Sequence, residues 1–132
     1  MRKGFSLMEI LIAIVVMAVL AAIAFPNFSK SQGKNDARQA ITYLRAIRLA
    51  EKIYYAKNGV YLACADDTAI KSNLGVEITT GSYHFDVTAT PTTFFARTRQ
   101  GGAAPANCTA TDAICLDQAG TWSGGSSYTP TS

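Results

Sequence analysis

Residues 10–25 of this chain read ILIAIVVMAVLAAIAF, an unbroken apolar run, and Glu9 is the only formal charge between Gly4 and Lys30. Phe5–Phe25 would span roughly 31 Å as an α-helix at ~1.5 Å per residue, enough to cross a hydrocarbon core of ~30 Å. In a chain of 132 residues, about 100 then remain for everything else, which is one modest domain. That length excludes a large multidomain enzyme, and a hydrophobic content of 48% excludes a chain disordered throughout. The net charge of +3 falls to +1 without Arg2 and Lys3, too little for a dedicated polycationic nucleic-acid binder. A single histidine leaves little room for acid–base or metal chemistry.

Three readings of the apolar run compete. It is a plain membrane anchor, or a secretory signal peptide cut at Ala22-Ile23-Ala24 before Phe25, or a hydrophobic helix kept in the mature protein. Arg2 and Lys3 flank one end and Lys30, Lys34 and Arg38 the other, so the distribution of basic residues does not choose an orientation. Glu9 separates the readings. An ionised carboxylate inside a bilayer costs ~2.5–3.5 kcal/mol on insertion scales, and neither an anchor nor a signal peptide gains anything from it.

Gly4-Phe5-Ser6-Leu7-Met8-Glu9, followed by the apolar run and Pro26, resembles the N-terminal signature of type IV pilins and pseudopilins. The resemblance covers residues 1–28. It implies that residues 1–4 are a leader removed by a prepilin peptidase after Gly4, that the new terminus Phe5 is N-methylated, and that Glu9 serves filament assembly. An α-amine and a carboxylate, both withdrawn from water, attract strongly and are each costly alone. Glu9 of one subunit meeting the Phe5 amine of its neighbour would offset both costs and set axial register. The resemblance further implies a homo-oligomeric helical filament, with an assembly ATPase and a membrane platform as partners. The subunit would wait in the inner membrane and end in an extracellular pilus serving adhesion, twitching motility or DNA uptake. A pseudopilin of a type II secretion system is the alternative, and a secreted binding domain cut after Ala24 is a third reading.

Pro26 lacks an amide hydrogen and crowds the preceding turn, so a helix kink is expected there. Where the family often has a helix-loosening glycine, this chain has Ala18, a strong helix former. The expected division is a filament-core helix over 5–28 and a globular head over 29–132. Within the head, Ala37, Ala40, Ile41, Leu44, Ile47 and Tyr54 recur at helical spacing, while Arg38, Arg45, Arg48, Glu51 and Lys52 fall mostly off that stripe. The basic residues read as a solvated face, so nucleic acid is an unsupported partner. Tyr43, Tyr54, Tyr55, Phe25 and Phe28 read as packing residues. This amphipathic half, 35–58, stops at Asn58-Gly59.

Residues 59–81 read as a surface linker. Tyr83–Ala89 alternates as a strand, 92–98 is a second strand after Pro91, and 114–117 and 121–123 flank Gln118-Ala119-Gly120 as a hairpin would. Strands of this number need a cover for their apolar face, and the helical stripe supplies it. The predicted fold class is α+β: one long helix packed on three to four antiparallel strands.

Cys64, Cys108 and Cys115 permit at most one internal bridge. Cys108–Cys115 would close a short loop before the last hairpin; Cys64 with either partner would clip the linker to the sheet; three small buried thiols are the remaining option. The resemblance implies a disulfide near the C-terminus, hence Cys108–Cys115. No metal-ligand spacing, nucleophile–base pair, P-loop or dinucleotide fingerprint occurs, so no cofactor, metal or catalytic residue is expected. Asp66, Asp67, Asp112 and Asp117 read as turn or surface acids, and His84 as solvated.

Overall fold

A computed structural model of the chain describes residues 6–79, 81–102 and 108–131. Helix α1 runs Leu7–Asn58 and includes position 26. The chain divides into two compact units, Met1–Lys34 and Asn35–Ser132. In the first, the apolar stretch Leu7–Phe25 has none of its residues buried.

The second unit is an α+β head. Its share of α1 ends where Gly59 takes a positive φ of 75° and donates its N–H to the Tyr55 carbonyl at 2.7 Å. A side chain there would be strained in that conformation. Asn58 Nδ2 also satisfies the Tyr54 carbonyl, at 3.0 Å. Helix α2, Asp67–Leu74, follows, opened by the Asp66 carboxylate accepting from Ala69 N–H at 2.7 Å. Residues 59–81 are therefore more than a surface linker: Ile70 of α2 is buried, and so is Cys64, whose backbone bridges to Val87. Burial of Ile70 fastens the segment to the core.

Strands β1 (Tyr83–Ala89), β2 (Phe94–Gln100), β3 (Ala113–Asp117) and β4 (Trp122–Ser123) form an antiparallel sheet in sequence order. The register pairs Val87 with Ala96, Ala96 with Leu116, and Leu116 with Trp122. Strand β2 starts later than the sequence pattern suggests. Thr90–Thr93 is instead a turn, closed by Thr90 N–H to the Thr93 carbonyl at 2.8 Å and by paired hydroxyls at 2.7 Å.

Alternation gives the sheet two faces. The inner face carries Tyr83, Phe85, Val87, Phe94, Ala96, Ile114 and Leu116, all buried in one cluster with Ala37, Ala40, Leu44 and Ile47 of α1. Fully burying a large aliphatic or aromatic side chain contributes ~1.5–3 kcal/mol, so these contacts define the head. The outer face carries Asp86, Arg97 and Cys115 in one row. Cys115 is bridged to Cys108, with Cα atoms 5.9 Å apart. Together with Arg99 Nε on Asp112 Oδ2 at 2.6 Å, that bridge holds residues 108–112 against this face. Asp86 and Arg97 form an ion pair there whose side chains are only 10% and 15% exposed.

Candidate assembly surface

Helix α1 from Leu7 to Phe25 is apolar on every side, with a mean hydropathy of 2.8 in its most apolar window. Leu7, Ile10, Leu11, Ile14, Val15, Met17, Leu20 and Ile23 are all exposed. A helix hydrophobic all round is one that lipid or other helices bury, because contiguous exposed apolar area of this size is not left in water by soluble monomers. Its 19 residues rise about 28 Å, close to the thickness of a hydrocarbon core.

Glu9 is exposed in the first turn of this helix and is the only charged residue between Leu7 and Phe25. Ser6 precedes the helix, and its carbonyl accepts from the N–H groups of Glu9 at 3.0 Å and Ile10 at 3.3 Å. A carboxylate in the first turn faces the positive end of the helix dipole, a favourable place for an anion. Further along, Ala24, Phe25 and Phe28 line an apolar groove. Gly4 and Phe5, expected to carry cleavage and methylation, lie outside the described residues.

The head holds its polar groups in separate duties. Asp66 caps α2. Asp67 accepts from Phe85 N–H at 2.8 Å and lies 3.3 Å from His84 Nδ1, so His84 has a carboxylate neighbour as well as solvent. Asp112 serves Arg99, and Asp117 accepts from the N–H groups of Gly120 at 2.8 Å and Thr121 at 2.7 Å. These four aspartates do not converge, and among the described residues no three His, Cys, Asp or Glu side chains are placed to hold a metal ion.

Glu51 is the residue whose placement differs most from its sequence reading. It continues the 37–40–44–47 stripe and is 0% exposed. One carboxylate oxygen accepts from Leu62 N–H at 3.1 Å, and the other is buried with no hydrogen-bond partner. Desolvation pushes its pKa up, and the hydrogen bond from Leu62 only partly opposes this. Cys64 is a free, buried thiol, held above the usual range first by its own burial and then by the Glu51 carboxylate. Such a thiol is a poor nucleophile. Of the aromatic residues expected to pack, Tyr43 stands edge-on to Phe85 and Tyr55 stacks on Tyr61, which leans on Phe94, whereas Phe25 and Phe28 are exposed in the single chain.

An all-round apolar N-terminal helix with one acid near its start, and an α+β head, are the features that the resemblance to type IV pilins and pseudopilins implied. The model of the prokaryotic N-terminal methylation motif matches residues 1–25. The chain is 33% identical over 74 residues to the type IV major pilin protein PilA of Myxococcus xanthus, covering 56% of this chain and 34% of that one. It is 35% identical over 63 residues to the type II secretion system core protein G of Vibrio cholerae, 46% of this chain and 43% of that one. With core protein G of Escherichia coli the figures are 33% over 60 residues, 46% and 41%. The chain thus spans less than half the length of the relatives it matches. No solved structure gives a significant match. The motif and these relatives make the chain similar, over its N-terminal part, to type IV pilins and type II secretion core proteins G.

Proposed function

We propose that this chain is a structural subunit that polymerises through α1 into a type IV pilus. The observation that carries this reading is a helix apolar on every side, wholly uncovered in the single chain, with one carboxylate in its first turn. In this reading residues 1–4 are a leader cut by a prepilin peptidase after Gly4, and Phe5 becomes the methylated terminus. Residues 5–28 wait in the cytoplasmic membrane as a spanning helix and then pack against like helices in the filament core. Pro26 is the position where the helix bends, and 29–132 form the head. The chain itself performs no catalysis.

Transfer from lipid into a helix bundle gains little hydrophobic energy, since lipid tails are as apolar as leucine. Packing and the pairing of Glu9 with a neighbouring Phe5 amine therefore drive the ordered contact, and an assembly ATPase acting through a membrane platform supplies the work of extraction. Replacing Glu9 by leucine removes the pairing charge while improving membrane insertion. Glu9→Leu subunits are expected to accumulate in the membrane at the wild-type level and to be missing from the sheared filament fraction. Normal filaments from that variant would refute the role of Glu9.

The matches to type II secretion core proteins G support a second reading, a pseudopilin in a short periplasmic filament. Microscopy of shed surface fibres supports the first reading. Loss of protein secretion on deletion, with no surface fibres, supports the second.

A further inference from the structure

Within the head, α1 presents a second stripe besides the buried one. Arg45, Arg48, Leu49, Lys52 and Ile53 follow the i, i+3, i+4, i+7, i+8 spacing of a single helix face. Leu49 and Ile53 are 60% and 57% exposed on it. At one end of the stripe an open cavity of about 330 Å³ is lined by Arg45, Arg48, Leu49, Leu116, Gly120 and Trp122.

Both guanidinium groups are held in place. Arg48 donates from Nε and Nη2 to the Gln118 carbonyl at 3.3 Å each, and from Nη2 to the Ala119 carbonyl at 2.9 Å. It lies flat over Gly120, where a Cβ would come within 2.9 Å of it. Arg45 sits over the Trp122 ring, 5.7 Å from its centroid. Among the described residues no carboxylate pairs with either. Two positioned cations one helical turn apart, walled by Trp122, Leu49 and Leu116, favour an anion carried on an apolar stem.

The head's own carboxylates are already engaged. Asp66, Asp67, Glu77, Asp86, Asp112 and Asp117 each hold an internal donor or cation. Glu51 is buried, and Asp36 is half-buried beside the Tyr83 phenol. A second copy of the head therefore has little to offer these arginines. We propose that the Arg45–Arg48–Trp122 cavity docks an acidic side chain, flanked by apolar residues, from a protein other than this one. Its volume of about 330 Å³ leaves room for an acidic side chain and part of an apolar neighbour, and its apolar walls suit a carboxylate's methylene stem better than a phosphodiester.

Trp122 is the only tryptophan in the chain, so its fluorescence reports on the cavity alone. The full chain in detergent micelles is titrated with acetyl-Leu-Glu-Leu-amide and with the neutral acetyl-Leu-Gln-Leu-amide. The acidic peptide is expected to give a saturable change and to bind about tenfold or more tightly than the neutral one, as a charge-assisted hydrogen bond requires. Arg45→Gln, which removes the guanidinium over the Trp122 ring, is expected to weaken the acidic peptide severalfold. Arg48→Gln does the same, and Arg48→Lys recovers only part of the loss because the planar fork is gone. Equal binding of the two peptides would overturn the proposal. So would displacement of the acidic peptide by inorganic phosphate at equal concentration, which marks a general polyanion surface. A change in Trp122 emission with protein concentration alone, abolished by Asp36→Asn, would also overturn it, because a second copy would then fill the cavity.

Discussion

Opening the Cys108–Cys115 bridge is the perturbation whose size follows most directly from the geometry. The two cysteines are seven positions apart, and closing so short a loop removes chain entropy worth about 2.5 kcal/mol at 25 °C from the unfolded state. For a head of about 100 residues, each kcal/mol moves the melting temperature by about 4–8 °C, so reduction should lower it by about 10–20 °C. The bridge also pins residues 108–112 over the outer face, where Asp86 and Arg97 lie. Losing it should thus admit water to the ion pair as well. Two variants separate the contributions. Cys108 is half-buried and Cys115 is fully buried. Cys108→Ser should reproduce the effect of reduction, whereas Cys115→Ser also buries a hydroxyl and should cost a further 1 kcal/mol or so. The assay is near-ultraviolet circular dichroism of the full chain in detergent during heating, with and without a phosphine reductant. A shift under about 3 °C on full reduction would refute the reasoning, because the bridge would then constrain a loop already ordered without it.

Asp86→Ala removes the carboxylate facing the Arg97 guanidinium in a largely desolvated site, and should cost about 3 kcal/mol, whereas replacing both partners by Leu and Met should be nearly neutral. Urea unfolding of the two variants checks this, and equal losses would contradict it. Glu51 binds its proton more tightly in the folded state than at its ordinary value of 4.5. The stability it contributes is therefore complete below about pH 4.5 and is lost as pH rises through the raised value. Glu51→Gln keeps an acceptor for Leu62 N–H and removes the charge, so its advantage over wild type should be larger at pH 7 than at pH 4.5; parallel pH–stability profiles would count against this.

Much of this architecture is legible in the sequence for simple physical reasons. Tyr83–Ala89 announces itself because alternation places Tyr83, Phe85 and Val87 on one face, and the glycine-containing turn Gln118-Ala119-Gly120 marks β3 and β4 on either side of it. The start of β2 is missed because Pro91 leaves Thr90–Thr93 free to close on their own hydroxyls, and threonine is a good strand former that also serves a turn. Helix α2 escapes because it is eight residues long and buries only Ile70, too little for a periodic signal. In the structure its ends are capped by Asp66 before it and Gly75 after it. The sequence reading sets Glu51 with the charged residues off the apolar stripe, although its spacing from Ile47 and Leu44 continues the buried one. In such a conflict between chemistry and period, the period prevailed, since Leu62 N–H offered the carboxylate a donor. The apolar run and its lone acid needed no structure to be recognised; what covers them is a property of the assembly and not of one chain.

The central claim is that the apolar helix stays in the mature subunit with Glu9 near its processed end. Intact-mass and N-terminal peptide mass spectrometry of protein recovered from its native cell tests it most directly. The account requires a terminus at Phe5 carrying one extra methyl group. A terminus at Phe25, after Ala24, would remove the helix and Glu9 together and contradict the account.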